Sequence, residues 1–343
     1  RLPGGLAVAT NFACAGFAAA SGSSVATSAA MGRIAIPEML RQGYDKGLAA
    51  GVVTSAGTLG ALIPPSILFI LYGIFAEQSI TRLLIAGILP GVLTAAVYTL
   101  MIVVRCKANP KLAPRLEEHV TLREKLTSLA PIWPLLLLIA GIIGGLYTGL
   151  VTPTEAGAFG AFLAFVIIGV QGRLTRQVVR DSVLEATSAT ARLLFVAVGA
   201  ILLSHLMALS GVPVYLGNSM GALALNPIYL VIGMSLIYLV LGMFLDPLGI
   251  LLLTLPILLP MFEALNLDLI WLGVLVVKYL EIGLLTPPVG FQVYVVKSVV
   301  GDTISLETIF RGVGWFLACE VVIMALLISF PSISLYLPNL MYN

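Results

Sequence analysis

Residues 193–245 run for 53 positions without a single Asp, Glu, Lys or Arg. A helix on a soluble fold keeps a charged or polar face toward water, and a run of this length has none. About 20 apolar residues cross a bilayer, so this run alone holds about two passes. Residues 47–76, 83–104 and 321–343 are also uncharged, and between 126 and 172 the only charge is Glu155. Together the runs hold about eight crossings plus shorter pieces. Lipid admits only helices and closed barrels. Barrel strands alternate apolar and polar residues instead of staying apolar for twenty positions. The expected fold class is therefore an all-α polytopic membrane protein.

Composition narrows the functions. Of 343 residues 59% are hydrophobic and 10% charged, against roughly 25% charged in soluble domains, and mean hydropathy is +1.08. Lys+Arg number 18 and Asp+Glu 16, a net charge of +2. A soluble enzyme, a disordered chain and a nucleic-acid partner are excluded, the last because it needs clustered basic residues. Cys14, Cys106 and Cys319 lie far apart in or beside apolar runs and read as small buried hydrophobes. His119 and His205 have no partners at metal-ligand spacing. No nucleophile–base constellation suggests an intramembrane enzyme. The chain begins at Arg1 without a Met or a signal peptide, and sequence is expected to precede it.

Basic residues orient the spans, because short loops rich in Lys and Arg stay cytoplasmic. Four clusters stand out: Arg41 with Lys46; Arg105 to Lys125; Arg173, Arg176 and Arg180; and Lys297 with Arg311. One topology puts all four on one side, and it requires an internal repeat. Gly60-Ala61-Leu62-Ile63-Pro64-Pro65 and Gly283-Leu284-Leu285-Thr286-Pro287-Pro288 are offset by 223 residues. The same offset places Pro37 on Pro260 and Ser23 on Asp246, and a slip of one residue places 80–90 on 304–315.

Each repeat opens with two short apolar segments around a polar tip, Ser21-Gly22-Ser23-Ser24 in the first and Asp246-Pro247-Leu248-Gly249 in the second. These read as re-entrant hairpins, tolerated at membrane depth where they are buried or line a wet cavity. A helix broken by Pro-Pro follows each hairpin, since proline removes a donor and clashes with the preceding turn. Broken helices at matching positions in two halves point to a transporter binding site. Freed carbonyls there suit a cation, and exposed helix N-termini suit an anion.

The expected organisation is a first repeat over 1–107 with hairpin 4–40, broken helix 44–78 and helix 83–107, its N-terminal part missing. A cytoplasmic arm and scaffold helices take 108–181. A second repeat over 182–343 has hairpin 227–263, broken helix 270–298 and helix 309–330. With the basic clusters inside, the two repeats are inverted.

At these residues the sequence resembles the large membrane subunit of tripartite ATP-independent periplasmic (TRAP) transporters. The matching stretches are Leu2-Pro3-Gly4-Gly5-Leu6-Ala7, Ser21-Gly22-Ser23-Ser24, Ile36-Pro37-Glu38-Met39, Ala56-Gly57-Thr58-Leu59-Gly60 and Pro64-Pro65-Ser66. Further on they are Thr152-Pro153-Thr154-Glu155-Ala156, Gly242-Met243-Phe244-Leu245-Asp246 and Glu281 through Gly290. Two departures are Phe291-Gln292, where the family often has Leu-Asn, and Lys278 close to the second break.

The resemblance implies a multi-pass protein of the bacterial inner membrane. It implies a secondary transporter of an organic acid, such as a C4-dicarboxylate or a sialic acid, driven by a sodium gradient. Its partners would be a small membrane subunit and a periplasmic substrate-binding protein, and an elevator-type transport domain would move against a scaffold. A stand-alone ion-coupled dicarboxylate carrier of similar design is the alternative.

On this reading the Na⁺ ions are expected at Ser23, Thr58 and Gly60 and at Asp246, Gly283 and Thr286, since neutral oxygens serve hard cations. Substrate contacts are expected at Ser21, Ser24, Pro64, Pro65, Pro287, Pro288 and Lys278. Structural roles compete at several positions. Asp246 and Glu155 suit helix caps, Lys278 and Glu281 share a helical face and suit an ion pair, and Arg192 suits snorkelling to the interface. Residues 108–125 read as an interfacial arm.

Overall fold

Apolar runs in lipid close their backbone hydrogen bonds within themselves, and the described residues are helical with no strand. The computed structural model describes residues 2–114, 133–212, 215 and 227–342. The chain divides into two compact units, one formed by Arg1–Leu116 with Gly211–Asn343 and the other by Glu117–Ser210.

The first unit begins with a helical hairpin, α1 (Gly5–Ser21) and α2 (Ser24–Arg41). Gly22, at φ 62°, turns the chain between them in a conformation that glycine adopts without penalty. Ser23 caps α2 by accepting from the Ala26 amide. The broken helix follows as α3 (Lys46–Gly57), a 3₁₀ turn (Thr58–Ala61), the Pro-Pro segment and α4 (Ile67–Phe75). Next come α5 (Ile80–Ala86) and α6 (Ile88–Ala108), the latter tied to α1 by Asn11, whose Nδ2 donates to Ala95 O at 2.9 Å.

The second unit contains a hairpin of α7 (Trp133–Tyr147) and α8 (Pro153–Val170). Thr152 and Glu155 form a reciprocal capping box at the start of α8, which is the capping role expected of Glu155. The long helix α9 (Arg176–Ser210) has one fully buried residue, Ala200. Most of the arm expected at 108–125 lies outside the described residues.

The remaining elements return to the first unit: α10 (Pro227–Gly242), α11 (Pro247–Ala264), α12 (Leu269–Leu285), α13 (Phe291–Val300), α14 (Leu306–Ser329) and α15 (Ser332–Tyr342). The order hairpin, broken helix, long helix thus occurs twice. α11 starts 223 residues after α2, and α12 starts 223 residues after α3. The caps keep the same register. Asp45 accepts from the Leu48 amide at the head of α3, and Asp268 accepts from the Ile270 and Trp271 amides at the head of α12. Both Pro-Pro peptide bonds are cis.

The core of this unit runs along α12, where every residue from 270 to 285 is buried. Small residues let helices approach closely. A Cβ added at Gly51 of α3 would stand 2.7 Å from Gly312 C of α14, and one at Gly312 would stand 2.0 Å from Gly47 O.

Four described helices are long and apolar enough to cross a membrane: Ile80–Ala108, Arg176–Ser210, Pro247–Ala264 and Leu306–Ser329. This is fewer than the uncharged runs suggest, because glycines, prolines and polar tips cut those runs into shorter helices. Pro247–Ala264, expected to be too short for a complete pass, has the length for one.

Candidate functional site

The first tip is seated on the first break. A Cβ at Gly60 would lie 2.8 Å from Ser23 C and 2.9 Å from both Ser23 O and Ser24 N. A Cβ at Gly22 would lie 2.5 Å from Pro65 O, and the Ile67 amide points at Gly22 O at 3.4 Å. Within the tip, Ser21 Oγ and Thr27 Oγ1 are 2.9 Å apart, and Thr27 Oγ1 donates to Ser23 O at 2.8 Å. The tertiary fold therefore gathers Ser21, Ser23, Ser24, Gly60 and Pro65 in one place, as their pairing in the sequence argument requires. Thr58 stands beside them, its hydroxyl donating to Ser55 O at 2.6 Å. Pro64 is buried in the same segment.

The second tip differs. Asp246 is exposed, and its Oδ2 accepts from the Leu248 and Gly249 amides at 3.1 and 3.4 Å, so it caps α11. This is the capping role weighed from the sequence, and it leaves the other carboxylate oxygen available. Gly242 and Gly283 pack backbone to backbone: a Cβ on Gly283 would stand 2.5 Å from Gly242 Cα. The second hairpin therefore also touches its broken helix. The Thr286 hydroxyl donates back to Ile282 O at 2.7 Å, and Pro287 and Pro288 are exposed.

Between the two breaks lies a buried polar cluster. Gln292, at the head of α13, donates from Nε2 to Ser24 O at 2.8 Å and to Ser28 Oγ at 2.6 Å. It thus links the second broken helix to the first hairpin. The Ser24 hydroxyl faces the Glu281 carboxylate. Lys278 is fully buried, and its Nζ bonds Glu320 Oε1 at 2.7 Å and Thr94 Oγ1 at 3.1 Å. Tyr98 donates to the same Glu320 oxygen and also lies against Thr58.

The expected Lys278–Glu281 ion pair is therefore corrected: the partner of Lys278 is Glu320 on α14. An ammonium held by two buried acceptors is also removed from the exposed second Pro-Pro segment, where a substrate contact was expected. Glu320, Tyr98, Thr94, Ser28 and the role of Gln292 escaped the sequence argument. Glu320 carried a usable signal, because it is the sole charged residue from 312 to 343.

Two hairpins packed against two broken helices, in an apolar chain whose described residues are helical without a strand and hold a buried polar core, are the architecture of an all-α multi-pass membrane protein. The comparisons agree. The family model described as Tripartite ATP-independent periplasmic transporter, DctM component, matches residues 1–333, and the chain belongs to that family. It is 39% identical over 341 residues to the C4-dicarboxylate TRAP transporter large permease protein DctM of Pseudomonas aeruginosa, covering 99% of this chain and 78% of that protein. It is 33% identical to the sialic acid TRAP transporter large permease protein SiaM of Vibrio cholerae, covering 94% of this chain and 75% of that protein. It is also 33% identical to the isethionate TRAP transporter permease protein DctMQ of Oleidesulfovibrio alaskensis, covering 87% of this chain and 47% of that longer protein. These relatives are transporter permeases, not enzymes.

Proposed function

We propose that this chain is the translocating subunit of a Na⁺-coupled organic-acid symporter in the bacterial inner membrane, working with a small membrane subunit and a periplasmic binding protein. The observation that carries the reading is the seating of the first tip on the first break, with the second hairpin against the second break through Gly242 and Gly283. Neutral oxygens at Ser23, Thr58 and Gly60 suit one sodium ion, and Asp246 with Gly283 and Thr286 suits another. The tip residues Ser21 and Ser24, with Pro64, Pro65, Pro287 and Pro288 at the breaks, would meet the substrate. A carboxylate fits helix N-termini beside bound cations; of the substrates in the relatives' names, C4-dicarboxylates and sialic acid are carboxylates and isethionate is a sulfonate, all of them organic anions.

The inversion of the two repeats and an elevator movement belong to the same proposal. The separation of the hairpins and broken helices from Glu117–Ser210 supports it, since a moving body and a scaffold need separate cores. The test is uptake into proteoliposomes holding both membrane subunits, with the binding protein and a panel of carboxylates. Uptake is expected only with an inward Na⁺ gradient and is expected to fall at least tenfold in Asp246→Ala. Uptake indifferent to Na⁺ would reject the sodium reading of both tips.

A further inference from the structure

The hydroxyl of Thr58, at the first break, stands among acceptors. It has one proton to give. Ser55 O accepts it at 2.6 Å, and the Tyr98 hydroxyl is also hydrogen-bonded to Thr58. Tyr98 cannot donate in return, because its own proton goes to Glu320 Oε1. The buried Ser55 hydroxyl, one turn earlier, makes no hydrogen bond. None of these groups spends a proton on Thr58 Oγ1, so its lone pairs stay available to an electropositive ligand.

This polarity traces back to a buried ion pair. Lys278 and Glu320 are 0% and 1% exposed. The ammonium donates to Glu320 Oε1 at 2.7 Å and to Thr94 Oγ1 at 3.1 Å. A paired carboxylate only accepts. Its other oxygen has no partner, so nothing competes with Tyr98 for a place on it. Turning the Tyr98 proton toward Thr58 would take a donor from a buried carboxylate, which is costly. The direction of each bond is therefore fixed from Glu320 outward to Thr58.

We propose that Tyr98 and Glu320, with Lys278 behind them, are positioning residues for the cation at the first break: they leave the Thr58 lone pairs free for the ion. The inference rests on the sodium reading of that break and goes beyond it. The ion's ligand in one repeat is aimed by charges in the other, since Lys278 and Glu320 lie on α12 and α14 and Tyr98 on α6. Groups that orient a metal's ligands matter to binding, and losing one commonly weakens it about 10–100-fold.

The test reads binding and not transport. The purified chain, as its complex in detergent, is melted while sodium replaces choline at constant ionic strength. A ligand bound only by the folded state raises the melting temperature with its concentration. Tyr98→Phe keeps the ring against Phe316, and the sodium concentration giving half the rise is expected to increase about tenfold. Asp246 is unchanged in every variant, so any contribution from the second tip is common to all. Tyr44→Phe is the control, since it also removes a buried tyrosine hydroxyl, the acceptor of the Leu6 amide at 3.1 Å. It is expected to lower the melting temperature without moving the half-rise concentration. An unmoved half-rise in Tyr98→Phe, or an equal shift in both variants, would overturn this inference and leave the sodium reading standing. A wild type that sodium does not stabilise would overturn both. Should Tyr98→Phe fail to fold, Lys278→Met with Glu320→Leu removes both charges, a replacement that buried ion pairs often tolerate, and leaves the Tyr98 proton without its acceptor. The same weakening is expected there, and its absence would overturn the inference.

Discussion

Lys278 shows how a residue's partner is chosen by energy and not by sequence distance. Its i+3 neighbour Glu281 shares its helical face, but an exposed-type pair of this kind is worth about 0.2–0.5 kcal/mol. Inside a packed core, an ammonium needs a short, fully formed bond, and Glu320 provides one at 2.7 Å with Thr94 as second acceptor. Breaking a buried pair by removing one partner costs about 3–5 kcal/mol, whereas replacing both is often close to neutral. Lys278→Met is therefore expected to destabilise the protein by about that amount. Lys278→Met with Glu320→Gln should recover most of the loss, as measured by a double-mutant cycle on thermal melting in detergent. A loss in the double variant equal to the sum of the Lys278→Met and Glu320→Gln losses would mean the pair carries no coupling. Glu320 itself was legible, as the lone charge in its run. Gln292 was visible only as a departure from the resembled motif, and its bonds to Ser24 and Ser28 span more than 260 positions, a contact no local pattern announces.

The elements were the most legible level. Apolar runs, polar tips and Pro-Pro breaks placed both hairpins and both broken helices, and the 223-residue offset recurs in the starts of α2 and α11 and of α3 and α12. What the pattern concealed was how closely these elements touch. Glycine at the break permits backbone-to-backbone approach, and the sequence does not say which segment approaches. Gly60→Ala would push a methyl group into Ser23 C and O, which are backbone atoms and cannot swing aside. Overpacking of this kind costs about 1–3 kcal/mol, and the displaced tip is expected to lower Na⁺-dependent uptake about tenfold with the protein still folded. Gly16→Ala on the same hairpin is the control, since its Cβ would meet nothing within 4 Å and alanine favours a helix. Equal uptake by the two variants would show that the tip-to-break contact is dispensable.

For the whole molecule, the charge pattern makes a directional statement. If short basic loops stay inside, cysteines placed at Lys107 and Arg176 in a cysteine-free background are expected to resist a membrane-impermeant maleimide in intact cells. They should react once the inner face is exposed in inverted vesicles. Labelling of Lys107→Cys from outside in intact cells would invert the assignment of the first repeat. The end of α9 at Ser210, followed by Gly211 at φ 70°, is where the longest uncharged run is cut. Its partition between the two compact units is a property of contacts that hydropathy does not carry.

The sequence by itself determined the helical class, the twofold order of elements, the positions of the tips and breaks, and the membership its motifs resembled. It could do so because lipid forces every backbone group to bond locally, so periodicity and proline act where they stand. Only the tertiary structure decided which polar groups meet: Ser24 with Glu281 and Gln292, and Lys278 with Glu320. The Ser24 contacts join residues of different repeats and the Lys278–Glu320 pair joins two helices of the second, and in a low-dielectric core the cost of leaving a charge unpaired outweighs any preference between sequence neighbours.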